Sequence, residues 1–155
     1  MSNESPAPIP QSLAFALHRA TVLIDRAADL FLRSRHDISY SLFSVLLIVG
    51  SSDRITQREV ADMLGVSRAS ITQRVAQLVS RGLIRTAPHQ TDARAVNLSL
   101  TRQGGELLEG AWHDLDTSDD DIEAGVDVPA LLAQLQILIS NAEASICATR
   151  SRDAQ

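Results

Sequence analysis

The segment from Thr56 to Leu100 leaves a chain little freedom in how it can fold. Thr56 and Glu59 stand three residues apart, the spacing at which a hydroxyl and a carboxylate cap each other's backbone at a helix start. Val60, Ala61 and Leu64 then share one face, and Gly65 follows, a residue suited to the left-handed turn that ends a helix. Ser67 opens a second helix whose Ile71, Val75 and Leu78 recur at i, i+4 and i+7, with Gly82 closing it. Two helices of about eight and fourteen residues joined by Gly65-Val66-Ser67 have the spacing of a helix-turn-helix. The period then changes: Val96, Leu98 and Leu100 alternate, predicting a hairpin with strands at about 83–87 and 95–100 and a tip at 88–94. A helix-turn-helix followed at once by a hairpin is a winged helix. Its second helix can lie in a major groove while the hairpin reaches the flanking backbone or minor groove.

The flanking sequence is helical. Pro6, Pro8 and Pro10 predict a loose arm over 1–10. From about 12 to 35, Leu13, Leu17, Ala20, Ile24, Ala27 and Phe31 form one apolar row, and Ala16, Leu23 and Leu30 form a second. A terminal helix apolar on two sides calls for a partner subunit. Residues 40–50, nearly all apolar, predict a central helix ended by Gly50. Thr101 opens another helix carrying Leu107, Leu108, Ala111 and Leu115. After the acidic stretch 116–127, Asp127-Val128-Pro129 opens a last helix to about 149 with a stripe of Leu131, Leu135, Leu138, Ala142 and Ile146. The expected fold is mainly α with a small β-wing. Residues 37–101 form the winged helix-turn-helix, and 11–36 with 102–150 supply dimerisation helices. Leu13, Leu17, Leu131, Leu135 and Leu138 are the candidate dimer contacts.

Charge sharpens the reading. The whole 155-residue chain carries a formal charge of −5, which taken as an average argues against nucleic acid. The average hides segregation. Residues 54–103 hold eight arginines against Glu59, Asp62 and Asp92, a local excess of five, so the remainder carries −10. A basic middle on an acidic frame suits a polyanion-binding face. All fourteen basic side chains are arginine, whose planar fork fits phosphate and guanine, although an alanine-rich, lysine-free chain also reflects codon composition. With 3% aromatic residues, the core must be aliphatic.

The outward face of the second helix offers Arg68, Ala69, Thr72, Gln73, Arg74 and Gln77, with Ser67 and Ser70 at its start. Glutamine can pair bidentately with adenine and arginine with guanine, while serine and threonine reach phosphate. At the wing tip, Arg94 is placed to enter a narrow minor groove, and Asp92 to orient its guanidinium. The candidate DNA-binding set is therefore Ser67, Arg68, Ser70, Thr72, Gln73, Arg74, Gln77, Asp92 and Arg94, and the expected partner is double-stranded DNA.

Residues 55–104 resemble the DNA-binding core of the MarR family of bacterial transcription regulators. The likeness is carried by "ITQREVADMLGVSRASITQRVAQLVSRGLIR" and by "DARAVNLSLTRQG", which fits the wing pattern D-x-R, five residues, L-T-x-x-G through Asp92, Arg94, Leu100, Thr101 and Gly104. The resemblance implies a winged-helix homodimer whose first and last helices interlock. Such a dimer binds a short palindromic operator, as a rule as a repressor released by a small-molecule effector. Where members often carry arginine in the recognition run, this chain has Gln73, and Arg74 is rotated about 100° from that position, so the family's base preferences do not carry over.

For an effector pocket the resemblance points between the dimerisation helices and the DNA-binding lobe, where His18, Phe43 and Trp112 are candidate walls. His36-Asp37 and His113-Asp114 could converge, but no His-x-x-x-His pair or Cys/His cluster suggests a metal site, and no cofactor is expected. Cys147 stands alone, which excludes an intramolecular disulfide. No nucleophile–base arrangement or phosphate-binding glycine loop suggests an enzyme. The amino-terminus lacks a signal-peptide layout and no apolar run approaches a membrane span, so a cytoplasmic protein without membrane association is expected. The alternative function is a winged-helix protein-interaction module without specific DNA binding.

Overall fold

Apolar packing is centred on the short helix that the sequence marks as central. The computed structural model describes residues 12–88, 96–118 and 121–153. It contains α1 (Leu13–His36), α2 (Tyr40–Gly50), β1 (Ile55–Thr56), α3 (Gln57–Leu64), α4 (Arg68–Ser80), β2 (Ile84–Pro88), β3 (Val96–Leu100), α5 (Arg102–Asp116) and α6 (Val128–Asp153). Leu42, Phe43, Val45, Leu46 and Val49 of α2 are all buried. Around them pack Leu32 and Ile38, Val60 of α3, Ile71, Val75 and Leu78 of α4, Leu98 of β3 and Ala111 of α5. The chain is mainly α with a small antiparallel sheet, as expected.

Helices α3, α4 and α5 start at the capping residues read from the sequence, and Ser39 caps α2 in the same way. Ser39 and Ser67 accept hydrogen bonds from the backbone N–H of Leu42 and Ser70 at 3.3 and 3.2 Å. Thr56 Oγ1 accepts from Glu59 N at 3.3 Å, and Thr56 N donates to Glu59 Oε2 at 2.8 Å, completing the capping box. Gly65, at φ +64°, ends α3 in the left-handed conformation.

The sheet has the order β1–β3–β2, all antiparallel. Strand β2 lies one residue later than predicted and β3 ends at Leu100 as predicted, with Ile84 opposite Leu100 and Pro88 opposite Val96. The two-residue β1 is an addition: Ile55 pairs with Leu98 and Thr56 with Asn97. It is too short to show an alternating pattern.

The base of the hairpin is locked to α5. Thr101 N donates to the Leu83 carbonyl at 3.0 Å, and its hydroxyl donates to the Gly82 carbonyl at 2.6 Å. The same hydroxyl accepts from Gly104 N at 3.0 Å, capping α5. At Gly104 a Cβ would lie 2.0 Å from the Leu83 carbonyl oxygen, closer than any real contact. The L-T-x-x-G motif is thus a packing junction in which threonine closes the helix start and glycine admits the backbone of the segment after α4.

The first half of α1 carries Leu13, Phe15, Leu17, Val22, Leu23 and Ile24, all exposed. Its second half is tied down: His36 Nε2 lies 3.0 Å from Asp114 Oδ2 of α5. Asp29 accepts from Arg33 Nε at 2.6 Å and from Tyr40 N at 2.8 Å, and these bonds hold its carboxyl below the usual carboxylate range.

The chain divides after Ser118, and α6 forms a unit of its own. It runs 26 residues. Its stripe is broader than the sequence reading has it: Leu132 and Ile139 widen the row of Leu131, Leu135 and Leu138, and Ile137 stands on the opposite side. The expectation that no apolar run approaches a membrane span is also corrected. Val128–Thr149, with a mean hydropathy of 1.3, is long and apolar enough by length and composition. Gln134, Gln136, Ser140, Asn141 and Glu143 nevertheless keep a polar arc along the helix, an arrangement costly in hydrocarbon and cheap in water.

The junction can be tested directly. Gly104→Ala should destabilise the fold by about 2 kcal/mol or more, since overfilling a site walled by backbone forces a main-chain shift. Thermal unfolding followed by circular dichroism measures this, with Gly105→Ala, which meets nothing within 4 Å, as the control.

Candidate nucleic-acid interface

Helix α4 buries Ile71, Val75 and Leu78 and turns the opposite side outward. At 100° per residue the outward direction falls on Gln73, flanked by Ala69 and Ala76. All three are exposed. Small side chains on both sides of Gln73 let the helix backbone come close to whatever it faces, leaving the carboxamide as the longest group there. Gln77 is exposed one turn further on, and Arg68 is exposed at the first turn.

The other candidates are distributed differently. Ser67 spends its hydroxyl on the helix cap, and Ser70 is half-buried. Arg74 is half-buried, about 60° from the centre of the inner face, so it stands at the edge of α4 and not on its outward side. Thr72 is exposed, but its hydroxyl is engaged by the Arg68 carbonyl and by Gln57 Oε1, each at 3.0 Å. Asp92 and Arg94, with the neighbouring His89, lie outside the described residues.

Other cations stand beside or on α3 and β2, which pack against α4, and at the end of α4 itself. Arg54 and Arg58 are exposed before and within the first turn of α3, with Arg58 Nε 3.9 Å from Asp62 Oδ2. Arg85 on β2 donates to Ser99 Oγ at 2.9 Å across the hairpin. Arg81, at the end of α4, stands 3.8 Å from Asp37, which caps α1 with φ +51°.

The three candidate pocket residues are not brought together. Phe43 is 1% exposed and belongs to the core, and His18 is on the exposed half of α1. Trp112 is half exposed and lines an open, apolar cleft of about 290 Å³ with Leu47, Gly50, Ser51, Leu108 and Glu109, between α2 and α5. His36 and Asp114 do converge, but among the described residues no group of three metal-binding side chains forms.

A family model described as "MarR family" matches residues 19–95, which span most of α1, all of α2, the helix-turn-helix and β2, and end just before β3. The chain belongs to the MarR family. It is 29% identical over 102 residues to the HTH-type transcriptional regulator PecS of Dickeya dadantii, covering 64% of this chain and 61% of PecS. It is 26% identical to the HTH-type transcriptional regulator TtmR of Methylorubrum extorquens, covering 67% of this chain and 53% of that regulator. The chain thus spans somewhat over half the length of these curated relatives. Among solved structures it is similar to a MarR variant from E. coli complexed with operator DNA, with a TM-score of 0.70 and 26% identity over 84% of this chain and 92% of that one.

In this MarR-family chain the capping box sets where α3 begins and so how the interface is presented. Thr56→Ala should cost about 1–2 kcal/mol, the usual worth of an N-cap hydroxyl. Urea unfolding curves with an unchanged slope would measure it.

Proposed function

We propose that this protein is a homodimeric, sequence-specific DNA-binding regulator of transcription that acts as a repressor and is released by a small molecule. The observation that carries the reading is the outward face of α4, where Gln73 stands between Ala69 and Ala76 on the second helix of a helix-turn-helix. A recognition helix needs polar groups that reach base edges and small neighbours that permit approach. A protein-interaction module would carry large apolar residues there, and Val79, exposed near the end of α4, is the single one on the helix.

The dimer reading rests on α1 and α6. Leu13 and Leu17 are exposed on one, Leu131 and Leu138 on the other, and Leu135 is half-buried. A helix with apolar side chains on several exposed sides is stabilised when a second copy removes them from water, at about 25 cal/mol per Å². Residues 11–36 and 102–150 then form the dimerisation part and 37–101 the DNA-binding part. The dimer presents two α4 helices about 34 Å apart to successive major grooves of a palindromic operator. Asp92 and Arg94 serve the wing tip. Trp112 is the residue we assign to effector binding, at the cleft between α2 and α5. Such a regulator works in the cytoplasm.

Fluorescence anisotropy of the purified chain on the DNA upstream of its own gene, at two salt concentrations, tests the reading. Binding that survives competitor DNA supports it, and weak binding that disappears with salt on every sequence refutes the specificity. Gln73→Ala should change base preference at one position of each half-site, and an equal loss on every duplex would refute base reading by Gln73. Leu17→Glu or Leu135→Glu should give monomer or aggregate by light scattering, and a stable dimer in either variant would refute the interface assigned here.

A further inference from the structure

Nothing in the sequence pattern singles out Gln57, the first residue of α3. The structure holds its side chain against the recognition helix. Thr72 Oγ1 lies 3.0 Å from Gln57 Oε1 and 3.0 Å from the Arg68 carbonyl, so one hydroxyl proton is shared between two acceptors. In this arrangement Thr72 is the donor and the carboxamide oxygen the acceptor. The oxygen is turned to Thr72, and the nitrogen, with two N–H donors, is turned away from it. Among the described residues that nitrogen has no hydrogen-bond partner.

The surroundings favour an anion. Arg58 follows Gln57 in the first turn, Arg54 precedes it by three residues, and Arg68 stands one turn before Thr72; all three are exposed. Of the nearby carboxylates, Asp53 is exposed next to Arg54, Glu59 is drawn into the Thr56 cap through both the Thr56 N–H and its hydroxyl, and Asp62 lies beside Arg58. When the second helix of a helix-turn-helix enters the major groove, the first crosses the sugar–phosphate backbone. The start of α3 is the part of that first helix which the Thr72 bond fastens beside the outward face of α4.

We propose that Gln57 is a DNA-phosphate-binding residue and that Thr72 is its positioning residue. Thr72 holds the carboxamide oxygen so that the amide nitrogen donates to a backbone phosphate beside the groove that α4 reads. Thr72 therefore contributes through Gln57 and reads no base. The inference rests on the DNA-binding reading above and gives that reading a contact that carries no sequence information.

The test uses the full-length protein and two duplexes of equal length, one enriched from a random pool by the wild type and one of mixed sequence. Gln57→Ala should weaken both by the same factor, about tenfold for one hydrogen bond to a charged oxygen. The slope of affinity against salt should not change, because a neutral side chain displaces no counterion. Arg68→Ala should lower that slope by about one, the signature of a lost cationic phosphate contact. Gln57→Glu keeps the acceptor for Thr72 and suits a helix start, yet turns a negative oxygen toward the phosphate. It should bind more weakly than Gln57→Ala while melting no lower than the wild type. Thr72→Val should lose as much as Gln57→Ala, Thr72→Ser should restore binding, and the double variant should lose no more than either single one. Full affinity of Gln57→Ala, a loss confined to the enriched duplex, or losses that multiply in the double variant would each overturn the assignment and leave the DNA-binding reading standing. A wild type that binds neither duplex overturns both.

Discussion

Burial of α2 is the constraint on which the other elements of the winged unit depend. Five of its eleven residues are buried, and α1, α3, α4, α5 and β3 all pack against it. With few aromatics in the chain, Phe43 is the one fully buried ring in this core, and the rest is filled by leucine, isoleucine, valine and two alanines. Such side chains keep their positions by mutual fit and not by directed bonds. The most deeply buried of the helices therefore sets the angles of the helices around it. The outward direction of Gln73 follows from the inward direction of Ile71, Val75 and Leu78, and these are inward because α2 offers a surface to meet.

Directed bonds act where packing alone would leave the elements free to slide. Thr101 ties the end of α4, the base of the hairpin and the start of α5 through two carbonyls and one cap. Asp37 and His36 connect the end of α1 to Arg81 and to Asp114, joining the helix assigned to dimerisation both to the close of the recognition helix and to α5. One contact is an exposed ion pair and the other a partly exposed His–Asp hydrogen bond, each worth little alone. What they set is relative placement.

Much of this was legible in the residues because local rules act over three or four positions. The Thr56–Glu59 box, the Ser67 cap and the Gly65 turn mark the helix-turn-helix, and alternation at Val96, Leu98 and Leu100 marks the hairpin. What escaped the sequence depends on partners distant along the chain. β1 exists because Ile55 and Thr56 find Leu98 and Asn97, and two residues carry no period of their own. Gln57 meets Thr72 across fifteen residues. Phe43 is buried on a helix whose residues are nearly all apolar, so that no periodicity could say which of them line a cleft. Arg74 shows how far the 3.6-residue rule reaches: it gives the angle, and the neighbouring elements decide that this angle lies at an edge. For α6 a single stripe was too narrow, because Leu132, Ile137 and Ile139 spread apolar surface to other sides.

Thr56 belongs to two structures at once: it pairs with Asn97 in the sheet and caps α3 with its hydroxyl. The hairpin and the helix-turn-helix therefore share one register. A residue inserted between Pro88 and Val96 would leave every ladder pair as it is, whereas one inserted between Ile55 and Gln57 would break the strand pairing and uncap the helix together. Length variation in descendants of this chain is thereby directed to the far end of the wing. The reach of the wing can drift over evolutionary time while the angle at which α3 leaves the sheet cannot.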